Sequence, residues 1–176
     1  MFKVTQVSGW GAAFAVAGGM GAAAGASAAE LAVTVEVPRL TVAEYHKPYV
    51  AGWIETADGA HAGNLFVWYD VKMKDDGGKK WLKDMRAWWR KSGRSLTTMP
   101  DGLASATKAP GRQTVNFTQA NGLKGIKPGQ YNLVIEASRE AGGLEIVRVP
   151  LNLTKASNGS GKGASELGAI SYTYKP

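Results

Sequence analysis

Hydrophobic and polar residues alternate in short runs along most of this chain, a pattern typical of strands that bury one face. Residues 64–71 are apolar on both faces, which predicts a buried central strand. Glycine-containing dipeptides separate the runs, and Gly142-Gly143 predicts a hairpin. Seven runs are predicted as strands: residues 31–38, 49–56, 64–71, 112–118, 131–138, 144–153 and 169–174. This count favours an all-β fold, an immunoglobulin-like antiparallel β-sandwich.

One segment follows a helical period instead of the strand period. Lysine and arginine side chains occupy one face of this segment. The apolar residues of the other face recur at helical spacing and are Trp81, Leu82, Met85, Trp88 and Trp89. This pattern predicts one short amphipathic helix over residues 79–91. We expect Trp81 and Trp88 to pack that helix onto the sheet.

Two segments have no periodicity. Residues 95–111 form a long polar loop, and a loop of this length in a compact domain commonly carries function. Residues 156–163 are rich in glycine and serine, which predicts a flexible insertion.

The first 28 residues have the pattern of a secretory signal. They carry one charged side chain, Lys3, followed by a short run of small apolar residues. Ala26-Ser27-Ala28 provides small residues where a signal peptidase cuts, so we expect cleavage after Ala28. An uncleaved membrane anchor is the alternative, for which the apolar content is low. The expected organisation is a signal peptide over 1–28 and a single sandwich domain over 29–176, periplasmic and soluble after cleavage.

Composition and charge exclude several classes of function. The 176 residues include no cysteine and two histidines, which excludes disulfides, cysteine–zinc sites and thiol nucleophiles. The net charge of +7 makes nucleic acid a candidate partner. Export and the lack of a readout motif argue against that partner. An anionic membrane face or an acidic redox partner fits the charge better.

Several phrases are more specific than ordinary strand sequence: EYHKPYVA at 44–51, WLKDMRAWWR at 81–90, KPGQY at 127–131, EASRE at 136–140 and ELG at 166–168. Together they resemble a family of exported bacterial proteins, the domain of unknown function 2271 (DUF2271). The resemblance covers nearly the whole mature chain. It implies a companion of PepSY-type membrane reductases and of a periplasmic flavin transferase of the ApbE type.

The long loop contains a segment similar to the acceptor sequence of that transferase. The matching positions are Asp101, Gly102, Ser105, Ala106 and Thr107, whereas Ala104 stands where serine or threonine is usual. In proteins of that kind the threonine hydroxyl is joined through a phosphodiester to FMN, taken from FAD with Mg²⁺. A threonine hydroxyl is a poor nucleophile and needs an external base. The acceptor is therefore expected on an exposed loop with small neighbours, within reach of another enzyme.

A tethered FMN needs an aromatic or apolar face for its ring and a cation for its phosphate. Trp89, Arg86 and Arg90 precede the loop and are the candidates, since arginine suits phosphate through its planar fork. A solvent-exposed helix face explains the same arginines equally well. His46 lies among aromatic residues and is a weak candidate for a metal or haem ligand.

Two classes of function follow. The first is an exported flavoprotein electron carrier with covalent FMN on Thr107, working with a membrane reductase. The alternative is a non-redox periplasmic accessory that binds a metal, haem or a protein. A hydrolase lacks support, because no nucleophile–base–acid set is evident. The sequence leaves the oligomeric state open.

Overall fold

A computed structural model describes residues 28–176 of the chain. The expected signal segment, apart from Ala28, therefore lies outside the described residues. These residues form nine strands: β1 Glu30–Val37, β2 Tyr49–Thr56, β3 His61–Tyr69, β4 Ala104–Ala106, β5 Gly111–Thr118, β6 Gln130–Ser138, β7 Leu144–Asn152, β8 Ser157–Lys162 and β9 Ala169–Lys175. Helical turns at Lys74–Asp84, Arg86–Lys91 (α1) and Gly93–Ser95 connect β3 to β4.

The strands make two sheets that pack into a sandwich. One sheet has the order β5-β1-β9-β8 and the other β4-β3-β2-β6-β7. Neighbouring strands are antiparallel except β3 and β4, which are parallel. Inward-facing residues of both sheets form the main core, among them Val33, Ile135 and Ile170. The predicted all-β sandwich is therefore confirmed, and the predicted hairpin joins β6 to β7 through Gly142-Gly143.

The five-stranded sheet is also covered on its outer face, where the helical turns pack. Trp53 and Val67 on this face meet Leu82, Met85 and Trp88 in a second core. Strands β2 and β3 are thus covered on both sides, which is why their buried stretches, residues 50–54 and 65–69, are apolar. A register shift in β2–β3 follows Gly52, which pairs with Phe66 while the next residue, Trp53, pairs with Asn64.

The predicted helix over residues 79–91 is instead two helical segments. A 3₁₀ segment runs over Lys74–Asp84 and is interrupted at Asp75 and Asp76, which have left-handed backbone angles (φ 54° at each). The helix α1 runs over Arg86–Lys91, and Met85, with φ −77° and ψ 77°, separates the two. Because the two segments differ in period, residues at α-helical spacing no longer share one face. Trp88 is fully buried as expected, but Trp81 is 50% exposed, so its predicted core position is wrong.

Two further strands lie where the sequence lacks periodicity. The segment 156–163, expected to be a flexible insertion, contains β8, which pairs with β9 at the edge of its sheet. The segment 95–111, expected to be a long loop, contains the three-residue strand β4. Both are edge strands, and their pairing comes from the neighbouring strand and not from their own composition.

A buried carboxylate fixes α1 to the sheet. Glu136, near the C-terminal end of β6, accepts hydrogen bonds from the backbone N–H groups of Ala87 and Trp88 at 2.9 and 2.7 Å. Burial raises the pKa of Glu136, although both hydrogen bonds favour the carboxylate. Arg139 and Glu140, its charged neighbours in sequence, make their contacts elsewhere. In the structure Arg139 pairs with Glu166 and Glu140 lies near His46.

Candidate functional site

A cavity of about 810 Å³ opens beside the helical turns, a size typical of small-molecule sites. Its wall comes from the segment before β2, the segment after β3, the helical turns, the end of β4 and the β6–β7 hairpin. The residues used below are Tyr45, His46, Lys47, Tyr49, Lys72, Met73, Trp81, Arg86, Thr107, Arg139, Glu140 and Leu144. The chain thus brings together side chains that are up to a hundred residues apart.

Thr107 lies at the end of β4 and lines this cavity. Its backbone N–H donates to the carbonyl oxygen of Tyr69 at 3.2 Å, next to the parallel pairing of β4 with β3. Leu103, just before β4, is buried and packs in the outer core. The prediction that Thr107 lies on an exposed loop is therefore wrong in one respect. Thr107 is partly buried, and its segment is hydrogen-bonded to β3 at the edge of the sheet.

The other acceptor-like residues hold this strand in place. Asp101 and Gly102 are exposed in a turn closed by a 3.1 Å hydrogen bond from the Leu103 N–H to the Pro100 carbonyl oxygen. Gly102 has φ +76°, a conformation that favours glycine. Ser105 pairs with Trp68 in the β3–β4 ladder. Of the motif, Ala106 and Thr107 reach the cavity wall.

The aromatic side chain at the cavity is Trp81, not the expected Trp89. Trp81 is half exposed and lies among other exposed apolar side chains of the wall, Met73 and Leu144. Trp89 is instead partly buried in the outer core, its ring 6.4 Å from that of Trp88. The helical spacing had marked Trp81 as core, so the sequence carried no signal for this position.

Of the two expected cations on α1, Arg86 lines the cavity, whereas the exposed Arg90 lies outside its wall. Lys47 and Lys72 also line it. Arg139 does so too, while its Nε and Nη2 donate to the Glu166 carboxylate at 2.8 and 3.1 Å. These three cations were missed because they belong to segments distant from the acceptor-like motif.

Two polar atoms of the cavity wall are buried without a hydrogen-bond partner. They are the hydroxyl of Tyr45 and Nη1 of Arg139. Neither atom has appreciable accessible surface, so neither is open to a ligand in the cavity, and leaving them unpaired costs folding free energy. The wall carries charges of both signs, with Lys47, Lys72 and Arg86 beside Asp70, Asp84 and Glu140, together with the aromatic face of Trp81.

Tyr49 adds a phenol to the same wall. Burial raises the pKa of Tyr49, and the nearby carboxylate of Asp70 raises it further, against a backbone hydrogen bond from Asp70. At neutral pH the hydroxyl is therefore protonated. Its ring lies edge-on to that of Tyr69, with 6.2 Å between the centroids.

His46 lies at the cavity between two exposed carboxylates. Its Nε2 is 3.1 Å from Glu44 and its Nδ1 is 3.5 Å from Glu140. Within residues 28–176, no three His, Cys, Asp or Glu side chains form a group that could hold a metal ion. His61 lies elsewhere, hydrogen-bonded to Asn64 at 3.1 Å.

The fold and the site define an all-β sandwich with a helical layer and a cavity lined by charged and aromatic side chains. The chain belongs to the DUF2271 family, described as a predicted periplasmic protein, whose model matches residues 30–169. That match includes every residue of the cavity wall. Neither the curated proteins nor the solved structures gave a match. No helix among residues 28–176 is long and apolar enough to cross a membrane.

Proposed function

We propose that this protein is an exported flavoprotein electron carrier with FMN attached covalently to Thr107. The observation that supports it is the position of Thr107: the residue of the acceptor-like motif that carries the hydroxyl lines the same cavity as Trp81 and Arg86. An acceptor segment unrelated to a ligand site has no reason to end at the wall of the chain's large cavity.

The attachment is a phosphoryl transfer carried out by an ApbE-type flavin transferase. Oγ1 of Thr107 attacks the FMN-side phosphorus of FAD, the pyrophosphate bond breaks, and AMP leaves with the bridging oxygen. The hydroxyl proton passes to a base of the transferase, since Asp101, the nearest acid in sequence, does not line the cavity. Mg²⁺ held by the transferase neutralises the pyrophosphate.

The edge position of Thr107 suits modification by another enzyme. Strand β4 has three residues and forms the outer edge of its sheet, paired with β3 alone. Short edge elements with few backbone hydrogen bonds open locally at low free-energy cost. Opening of β4 exposes the Thr107 hydroxyl, and its return brings the attached group to the cavity.

Three side chains of the wall suit a bound flavin. Trp81 provides an aromatic face for a planar ring. Arg86 provides a planar fork of donors for a phosphodiester. Tyr49, protonated at neutral pH, provides a hydrogen-bond donor. The flavin, when bound, supplies reversible one- and two-electron redox chemistry, and this chain supplies binding and orientation.

The cellular setting follows from the family and the N-terminal segment. Cleavage after Ala28 leaves a mature chain that begins one residue before β1. The periplasmic description of the family agrees with export. A PepSY-type membrane reductase is the proposed redox partner.

Intact mass of the purified chain tests this proposal. We expect the wild type, co-expressed with an active transferase, to be heavier by one FMN less one water, with the addition on Thr107. Thr107→Val should lack the addition, while Ser105→Ala, the matched change of the neighbouring motif hydroxyl, should keep it. An unmodified wild type beside a modified reference acceptor would overturn the proposal, as would a modified Thr107→Val.

The second candidate is a non-redox module that binds a metal or haem at His46. The observation in its favour is that His46 lines the cavity and offers a single ring nitrogen as a ligand, since Glu44 and Glu140 do not complete a three-residue metal group with it. Calorimetric titration of the unmodified protein with Zn²⁺ and with haem tests it. Binding that is lost in His46→Ala, in a protein that stays unmodified beside active transferase, would favour this module.

A further inference from the structure

The positive charge of this protein is concentrated in one stretch of the chain. Residues 72–94 contain nine lysines and arginines and three aspartates, a formal net charge of +6. Residues 28–71 and 95–176 together contain eleven basic and eleven acidic residues, so they are formally neutral. The net positive charge of the described residues therefore lies in the helical layer that covers the five-stranded sheet.

All nine of these basic residues are exposed. Lys79 pairs with Asp76 at 2.8 Å and Lys91 with Glu55 at 3.2 Å. Within the part of the chain that the structure describes, the other seven form no ion pair: Lys72, Lys74, Lys80, Lys83, Arg86, Arg90 and Arg94. Their charge is therefore available to a partner.

The same surface holds exposed apolar side chains. Trp81 is 50% exposed, and Val71 and Met73, just before the 3₁₀ segment, are each 41% exposed. Tryptophan and arginine are enriched among the residues that carry most of the affinity in protein interfaces, and Trp81 and Arg86 lie in the same cavity wall. Charge supplies the long-range attraction, and Trp81 supplies an anchor.

We propose that residues 71–94 form a docking surface for an acidic protein. Charge complementarity requires an anionic partner. Whether that partner is a protein or a lipid surface depends on whether the apolar side chains of the helical layer are free or buried. Helices that bind membranes insert a free apolar face. Here that face is already used, because Leu82, Met85 and Trp88 are buried against the sheet. The surface that remains is a cationic one with a single aromatic anchor.

The docking surface borders the mouth of the cavity. Lys72, Met73, Trp81 and Arg86 belong to both. A partner bound here lies directly over the cavity, which is the arrangement that a redox partner of a bound cofactor needs. The inference itself stands on charge and exposure, and it holds whether or not Thr107 carries a flavin.

Two charge-reversed variants with the same net charge distinguish binding at residues 71–94 from a general attraction that depends only on the net charge of the protein. Lys80→Glu/Lys83→Glu changes the proposed surface, and Lys124→Glu/Lys155→Glu makes the same change at exposed residues elsewhere. The probes are polyglutamate and vesicles of phosphatidylglycerol and phosphatidylethanolamine, and backbone amide NMR shifts map the binding. A photo-crosslinker in place of Trp81, used in periplasm, then shows whether captured proteins depend on the same lysines.

We expect polyglutamate to shift amides of residues 71–94 and the first variant to weaken its binding about tenfold. The matched variant should weaken it less than twofold, because screening at about 8–10 Å confines the effect to nearby charges. Crosslinks should disappear in the first variant alone and join the chain to acidic proteins. Equal loss in both variants, shifts outside residues 71–94, or stronger binding to vesicles than to polyglutamate would overturn the inference.

Discussion

The carboxylate of Glu136 lies 2.7 Å from the backbone nitrogen of Trp88, although the two residues are 48 positions apart. It joins the C-terminal part of β6 to the first turn of α1, the helix that positions Arg86 at the cavity. The buried acid therefore connects the sandwich to the helical layer. An acid at a helix start also interacts favourably with the N–H groups there that have no partner within the helix.

Glu136→Ala should lower the free energy of unfolding by about 2–4 kcal/mol, because two buried N–H groups lose their acceptor. Glu136→Gln keeps one acceptor oxygen and should cost about half as much. Denaturant unfolding followed by tryptophan fluorescence measures both. Glu140→Gln, at an exposed carboxylate, is the control and should stay within about 0.5 kcal/mol of the wild type. A Glu136→Ala variant as stable as this control would show that the contact contributes nothing.

Glu145 should give the protein a specific pH dependence of stability. Burial acts to raise the pKa of this carboxyl, but hydrogen bonds from the backbone N–H groups of Ala164, Ser165, Glu166 and Leu167 together lower it. The stability that Glu145 adds is therefore present above the ordinary glutamate pKa and is lost as pH falls through the lowered folded-state pKa. Melting temperatures from pH 7 to pH 3 should converge for wild type and Glu145→Gln. Curves that stay parallel would contradict this.

Replacing one residue of the buried pair Arg139–Glu166 should lower the free energy of unfolding more than replacing both. Glu166→Ala leaves a buried guanidinium unpaired, so we expect a loss of about 3–5 kcal/mol in unfolding free energy. Arg139→Met/Glu166→Leu removes both charges and should recover most of that loss. Chemical unfolding of both variants checks the difference. A double variant no more stable than the single one would show that packing, not charge burial, dominates here.

Two adjacent glycines should differ sharply in their tolerance of alanine. A Cβ at Gly78 would clash with the backbone carbonyl oxygen of Asp70, which cannot rotate away. A Cβ at Gly77 would lie 2.8 Å from Sδ of Met73, an exposed flexible side chain that can move. We expect Gly78→Ala to cost about 1–3 kcal/mol and Gly77→Ala much less. Thermal melts of the two variants give the comparison, and equal melting temperatures would contradict it.

The strands were predictable because their signal is local. Alternation in residues 31–38 and the double-sided apolar run at 64–71 depend only on neighbouring residues, and both correspond to strands. The hairpin at Gly142-Gly143 was predictable for the same reason, since a turn is encoded by the residues within it. The all-β class, the hairpin and the family resemblance were all available from sequence.

The cavity was decided by tertiary structure. Trp81 and Trp89 both fit one amphipathic helix in sequence, and the break at Met85 put the first at the cavity and the second in the core. Strand β4 formed because the edge of β3 was open to pair with residues 104–106, which have no strand pattern of their own. Thr107 and Arg86 share a cavity only because the sheet and the helical layer bring them together. Such contacts between distant residues depend on the packing of whole elements, which no local pattern encodes.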